Sequence, residues 1–172
     1  MYQKVKLIII LVGFFLFLFQ ITHVGGQGET VSIKELMPLV KIKIPNMKLK
    51  GKPVGNSNNG ITEVTANYVS ATKTVRINIV DYGKTTANGG SPGIFGLLHP
   101  PHSQIIRSDI NGYTCEQTYY PDKKSSYLKF YVGSFGIYVN GDGIDDAEEL
   151  QEIARKINVK QIEALAATKI AK

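Results

Sequence analysis

The chain has no tryptophan and one cysteine, Cys115, in 172 residues. A lone thiol closes no internal disulfide, and its plain reading is a quiet, partly buried group sharing a strand face with Tyr113, Gln117 and Tyr119. Intermolecular pairing or nucleophilic use is the alternative. The catalytic signatures are missing too. There is no Gly-x-Ser-x-Gly, no His-Glu-x-x-His, no phosphate-cradling glycine loop ahead of a helix and no pair of Cys-x-x-Cys motifs. No basic cluster is interleaved with stacking aromatics, which together with the export signal below argues against nucleic acid as a partner. The net charge of +6, from 20 basic and 14 acidic residues, reads as a mild, scattered excess that serves solubility or favours an anionic membrane surface or polymer.

What is present begins with an address. Lys4 and Lys6 precede the apolar run Leu7 to Ile21, and small residues follow at Gly25 and Gly26. This is the pattern of a secretory signal over residues 1–28. Stretched from Val5 to Val24, the same run reaches the roughly 20 residues of an uncleaved N-terminal membrane anchor. Both readings place residues 29–172 outside the cytoplasm, as one exported domain that is periplasmic, secreted or held by its own N-terminal helix. No cysteine follows the run, which excludes lipid attachment at a cleavage-site cysteine.

The body alternates. Ile61 to Ser70 and Thr74 to Tyr82 read as a hairpin, and Gly112 to Tyr120 as a further strand. Tyr127 to Val132 and Phe135 to Asn140 read as a second hairpin around Gly133 and Ser134. Ser32 and Glu35 have capping-box spacing, with Pro38 keeping that helix short. Val40, Ile42 and Ile44 alternate with Lys41 and Lys43 as a lysine-bearing strand or arm at a sheet edge. Asn46 to Gly60 reads as a loop, and Gly83 to Gly112 as the least regular segment, in which Ser103 to Ile110 is compatible with a turn of helix or a short strand. From Asp146 to Ile157 the apolar positions Ala147, Leu150, Ile153, Ala154 and Ile157 form one helical stripe, with Asp145 placed to cap it. A second short helix follows Asn158, with Val159, Ile162 and Leu165 inward.

The expected architecture is therefore a single α+β domain. Its antiparallel sheet has four or five strands, covered on one face by the C-terminal amphipathic helix, with a cystatin-like or similarly curved sheet as the nearest analogy.

Three features invite a functional reading. The loop residues Ile94, Phe95, Leu97 and Leu98 must either fold back over the core or meet a partner. Asn140, Asp142, Gly143, Ile144, Asp146 and Glu149 match the calcium loops of the thrombospondin type-3 kind, which that resemblance implies as a weak calcium site. Tyr138 stands where the pattern has its first Asp, and the bland alternative is turn and cap chemistry. His99 and His102, separated by two prolines, suit zinc only if a third ligand such as Cys115 or Asp109 joins them. No cofactor is required.

These readings converge on a non-catalytic exported accessory or binding module of the bacterial cell envelope, meeting an envelope protein or membrane surface through its open sheet face or the 94–98 loop. The alternatives are a small envelope hydrolase with a cleft near His99, His102 and Cys115, and a weak calcium-binding domain.

Overall fold

Alternation of residue type becomes alternation of burial along every central strand. The computed structural model describes residues 30–83 and 102–170, and eight strands form one antiparallel sheet among them. They are β1 Lys48–Leu49, β2 Val54–Asn58, β3 Ile61–Val69, β4 Thr74–Asp81, β5 Gln104–Ile110, β6 Tyr113–Tyr120, β7 Ser125–Val132 and β8 Phe135–Asp142. The order across the sheet is β1-β3-β4-β8-β7-β6-β5, with β2 also on β3. β1 and β2 pair with successive parts of β3, two extra residues between them shifting the register, so they are two halves of one interrupted edge strand.

The expectation of four or five strands is thus corrected to eight, and the analogy to a cystatin-like sheet of that size falls with it. The additional strands lie where composition resembles loop. In β2, Val54-Gly55-Asn56-Ser57-Asn58 offers little to bury, and pairing with β3 through backbone groups carries it. Two of the three added strands, β2 and β5, adjoin an Asn-Gly pair. Asn59-Gly60 joins β2 to β3 and Asn111-Gly112 joins β5 to β6, all four residues having positive φ (51°, 73°, 55° and 90°). Two consecutive positive-φ residues define the tight hairpin turn whose twist matches the strands it joins.

One face of the sheet is the core. Val64, Ile79, Ile137 and Phe130 form a cross-strand row, and Ala66, Ile77, Val139 and Leu128 form the next, all essentially inaccessible. This face is covered from both ends of the chain, a wider cover than the single C-terminal helix expected. At the start, α1 Ile33–Leu36 runs into a 3-10 turn at Met37–Val40, burying Leu36, Leu39 and Val40. The capping box forms as anticipated: Glu35 N–H donates to Ser32 Oγ, and Ser32 N–H donates to Glu35 Oε2 at 3.0 Å. The following residues form no strand. The hydroxyl of Tyr68 instead accepts from Ile42 N–H at 2.8 Å and donates to the Val40 carbonyl at 2.7 Å, fastening them to β3.

At the other end come α2 Ala147–Ala154 and α3 Val159–Ile170. Leu150, Ile153, Ala154, Ile157, Val159 and Ile162 are buried, each large aliphatic side chain contributing about 1.5–3 kcal/mol on burial. The cap is Asp146, which accepts from Glu149 N–H at 2.9 Å, and not Asp145. Asp145 is drawn off by lysines, as described below. A polar seam also holds α2: Gln117 Nε2 donates to Ser126 Oγ and to the Ala147 carbonyl, both at 2.8 Å, and Gln151 Nε2 donates to Gln117 Oε1 at 2.9 Å. Gln117 is fully buried, so these bonds satisfy a group that would otherwise be costly there.

Among the described residues no helix is long and apolar enough to cross a membrane. The run Leu7 to Ile21 lies outside them.

Candidate binding face

The sheet's second face carries no helix among the described residues, because α1, α2 and α3 pack against the buried face. Strand register arranges its side chains in rows. One row runs Arg107, Glu116, Lys129, Tyr138, Asn78 and Thr65 from β5 to β3. The neighbouring row runs Ile105, Thr118, Tyr127, Asn140, Arg76 and Asn67. Within the first, Lys129 Nζ and Glu116 Oε1 are 3.0 Å apart, and Asn78 Nδ2 donates to Glu63 Oε1 at 2.7 Å.

Tyrosines occupy the middle. Tyr82 and Tyr138 share a hydroxyl–hydroxyl hydrogen bond of 2.6 Å, with Tyr131 Oη 3.3 Å from Tyr138 Oη. The Tyr127 ring stacks beside Tyr138 at 6.3 Å, and Tyr131 meets it edge-on at 6.2 Å. Gly136 makes this possible: a Cβ there would lie 2.8 Å from the Tyr138 ring, so the ring folds back over bare backbone. Burial, and then the hydrogen bonds to Tyr131 and Tyr82, hold the Tyr138 hydroxyl far above the ordinary tyrosine value. Burial pushes Tyr127 up to about 12. At neutral pH these phenols are uncharged hydrogen-bonding groups on aromatic rings, suited to contact and not to proton abstraction.

Beside the tyrosines lies a hollow of about 460 Å³, lined by Lys50, Asn67, Thr74, Arg76, Asn140 and Asp142 among others. Arg76 Nε donates to Asn67 Oδ1 at 3.0 Å, and Thr74 Oγ1 donates to Asp142 Oδ2 at 3.2 Å. The hollow offers amide, hydroxyl and charged groups together, a lining that recognises polar ligands by hydrogen bonding.

Residues singled out from the sequence fare differently. Ile94, Phe95, Leu97, Leu98 and His99 lie outside the described residues. His102 precedes β5 with a largely exposed imidazole, 3.8 Å from Asp122. Cys115 points the other way, fully buried on the core face, where burial pushes its thiol up to about 11. The two do not share a cleft. Asp109 accepts the Gly112 N–H at 2.8 Å within its own turn, away from any role as a third zinc ligand beside Cys115.

The calcium-like loop is spoken for by protein groups. Lys73 Nζ stands 2.9 Å from Asp145 Oδ2 and 2.8 Å from Glu149 Oε1, and Lys124 Nζ is 2.9 Å from Asp145 Oδ1. Asp146 caps α2, Asp142 accepts from Thr74, and Asn140 belongs to the open face. Among the described residues no group of three or more His, Cys, Asp or Glu side chains converges to hold a metal ion.

Sequence reasoning missed the tyrosine cluster and the hollow. Alternation did place Tyr127, Tyr131 and Tyr138 on the side opposite Phe130 and Ile137, but gave no sign that Tyr82, just beyond β4, joins them. The hollow joins residues from β3, β4, β8 and the chain after β1, a conjunction set by register alone. No family model, curated protein or solved structure matches the chain.

Proposed function

We propose that this protein is a non-catalytic, exported binding module of the bacterial cell envelope that engages its ligand through the open face of the sheet. The observation that carries the reading is a face, free of helices among the described residues, on which four tyrosines and a polar hollow of about 460 Å³ lie side by side. Aromatic rings with hydrogen-bonding tips give large contact area at low conformational cost, and polar groups around a hollow fix orientation. Export follows from the basic, apolar and small-residue succession at the N-terminus. The hydrolase alternative draws no support from Cys115, a thiol pushed up to about 11 and shut in the core, where a nucleophile needs access and a thiolate.

The test is retention of envelope components on the immobilised full chain, compared with Arg76→Ala/Asn140→Ala on the open face and Lys160→Ala/Glu163→Ala on α3. The reading expects the face variant to lose what wild type and the helix variant both retain. Equal retention by all three chains, or none above a blank surface, overturns it.

A further inference from the structure

Between Glu35 and Glu63 the chain has no acidic residue, yet it carries Lys41, Lys43, Lys48, Lys50 and Lys52. The fold gathers these five at one margin of the sheet. Tyr68 fastens the segment bearing the first two, through Ile42 N–H and the Val40 carbonyl. Val40 and Ile44 are buried, which turns Lys41 and Lys43 outward. Leu49 pairs with the same Tyr68, Lys48 pairs with Val69, and Lys50 N–H donates to the Asn67 carbonyl at 2.7 Å. All five lysines are exposed.

Among the described residues none of the five has a carboxylate partner, whereas Lys73, Lys124, Lys129, Arg155 and Lys169 are each ion-paired. Other basic residues without an ion pair, such as Arg107, Lys156 and Lys160, are spread over the rest of the fold, whereas these five are gathered on one edge. The same edge exposes apolar side chains. Leu49, Val54 and Ile61, exposed by 38%, 68% and 39%, are the exposed large hydrophobics of the described residues, and all three sit in β1, β2 or the first position of β3.

Lysines on an edge strand also deter strand addition by other chains, a role that requires no ligand. That role explains the charge and leaves the three apolar side chains unexplained. A soluble polyanion is matched by charge alone and gives them no contact. Lysines interleaved with exposed aliphatics along an edge of roughly 23 Å, the span of seven strand residues, match an interface where phosphate meets hydrocarbon.

We propose that the β1–β2 edge docks on an anionic lipid surface, its lysines over the headgroup phosphates and Leu49, Val54 and Ile61 at the headgroup–acyl boundary. This goes beyond ligand binding by the open face and stands without it. The four lysines other than Lys50, near such a surface, account for ~10²- to 10³-fold in partitioning, lost as salt screens them.

The full chain carries the apolar run Leu7 to Ile21, so gross binding to vesicles is not diagnostic. The measurement is instead local amide exchange over residues 41–61 of the full chain, with phosphatidylcholine vesicles and with vesicles containing roughly 30% phosphatidylglycerol. The expected result is slowed exchange with the anionic vesicles alone, reversed in roughly 1 M salt. In Lys41→Gln/Lys43→Gln/Lys48→Gln/Lys52→Gln the slowing disappears, while exchange in β4, β7 and β8 without vesicles matches wild type. Lys50 is left in place because it lines the hollow, so the variant spares the open face. Equal exchange with both vesicle types, or slowing that survives the substitutions, overturns the proposal. Slowing by an acidic polysaccharide with none by vesicles overturns it in favour of a polymer.

Discussion

Asp81, at the end of β4, is fully buried and accepts a hydrogen bond from Lys169, 88 positions later in α3. The same carboxylate accepts from Val31 N–H at 2.7 Å, Gly83 N–H at 3.0 Å and Ser134 Oγ at 3.0 Å. It therefore ties together the start of the described chain, the exit of β4, the β7–β8 turn and the last helix. The ammonium also lies 5.1 Å from the centre of the Phe135 ring.

Removing the acceptor should cost more than removing one donor. Asp81→Ala strands a cation and three further donors, and the expected loss is about 3–5 kcal/mol. Lys169→Met leaves the carboxylate three of its four partners, with an expected loss of about 2 kcal/mol. Urea denaturation of both variants checks the order; equal losses contradict the account of Asp81 as the hub.

The acid limb of stability should report on Asp145. The hydrogen bonds from Lys73, then Lys124, hold its carboxyl at about 2, below the ordinary 3.8. A depressed carboxyl contributes stability that is present above 3.8 and is lost as pH falls through that window toward 2. Asp145→Asn should flatten the fall in Tm across that window while lowering Tm modestly at pH 7, since exposed ion pairs contribute little. A variant whose Tm keeps the wild-type slope between pH 4 and 2 contradicts the assignment.

Calcium should leave wild type unchanged. The Lys73 ammonium, its own pKa raised chiefly by the hydrogen bond to Glu149 and next by that to Asp145, already occupies the space between the two best-placed carboxylates. The expected Tm with ~1 mM calcium equals that with chelator, because a cation site needs six to eight oxygens free to converge. A calcium-dependent rise in Tm for wild type restores the calcium reading of the loop.

Gly136→Ala should disturb the tyrosine cluster from beneath. The added methyl lies within 2.8 Å of the Tyr138 ring and hydroxyl, so the ring must swing outward and release Tyr82. The expected loss of stability is about 1–3 kcal/mol, the range for overpacking. Ultraviolet pH titration provides a second readout: the most resistant tyrosine should ionise nearer the ordinary 10.0 once its burial is relieved. An unchanged titration curve shows that Gly136 does not shape the face.

Strands whose side chains pay the cost of ordering were legible from alternation. That holds for β3, β4, β7 and β8, where apolar residues recur at alternate positions, and less sharply for β6, where Gln117 stands between Cys115 and Tyr119 on the inner face. The stripe of Leu150, Ile153 and Ile157 was legible for the same reason at helical period. β1 and β2 were hidden because hydrogen bonds to β3, and not buried side chains, hold them. β5 was legible only as a short strand or a turn of helix within Ser103 to Ile110, because Ile105 and Ser108 break the alternation, although Asn111-Gly112 after it is a strong local hairpin signal. Asp145 and Asp146 are equally good caps by type. The choice fell to Asp146 because Lys73 and Lys124, distant in sequence, claim Asp145.

The pairing of β4 with β8 has a consequence for assembly during synthesis. Everything on either side of that seam is built from neighbours in sequence, but Ile77 must await Val139 and Ile79 must await Ile137. Until the last quarter of the polypeptide emerges, β4 is a greasy ribbon with one row of amides and carbonyls unmatched, the form of surface that recruits other nascent chains. Chaperones that shield a nascent chain therefore have most to guard in the interval between the emergence of residues 74–81 and the arrival of residues 135–142.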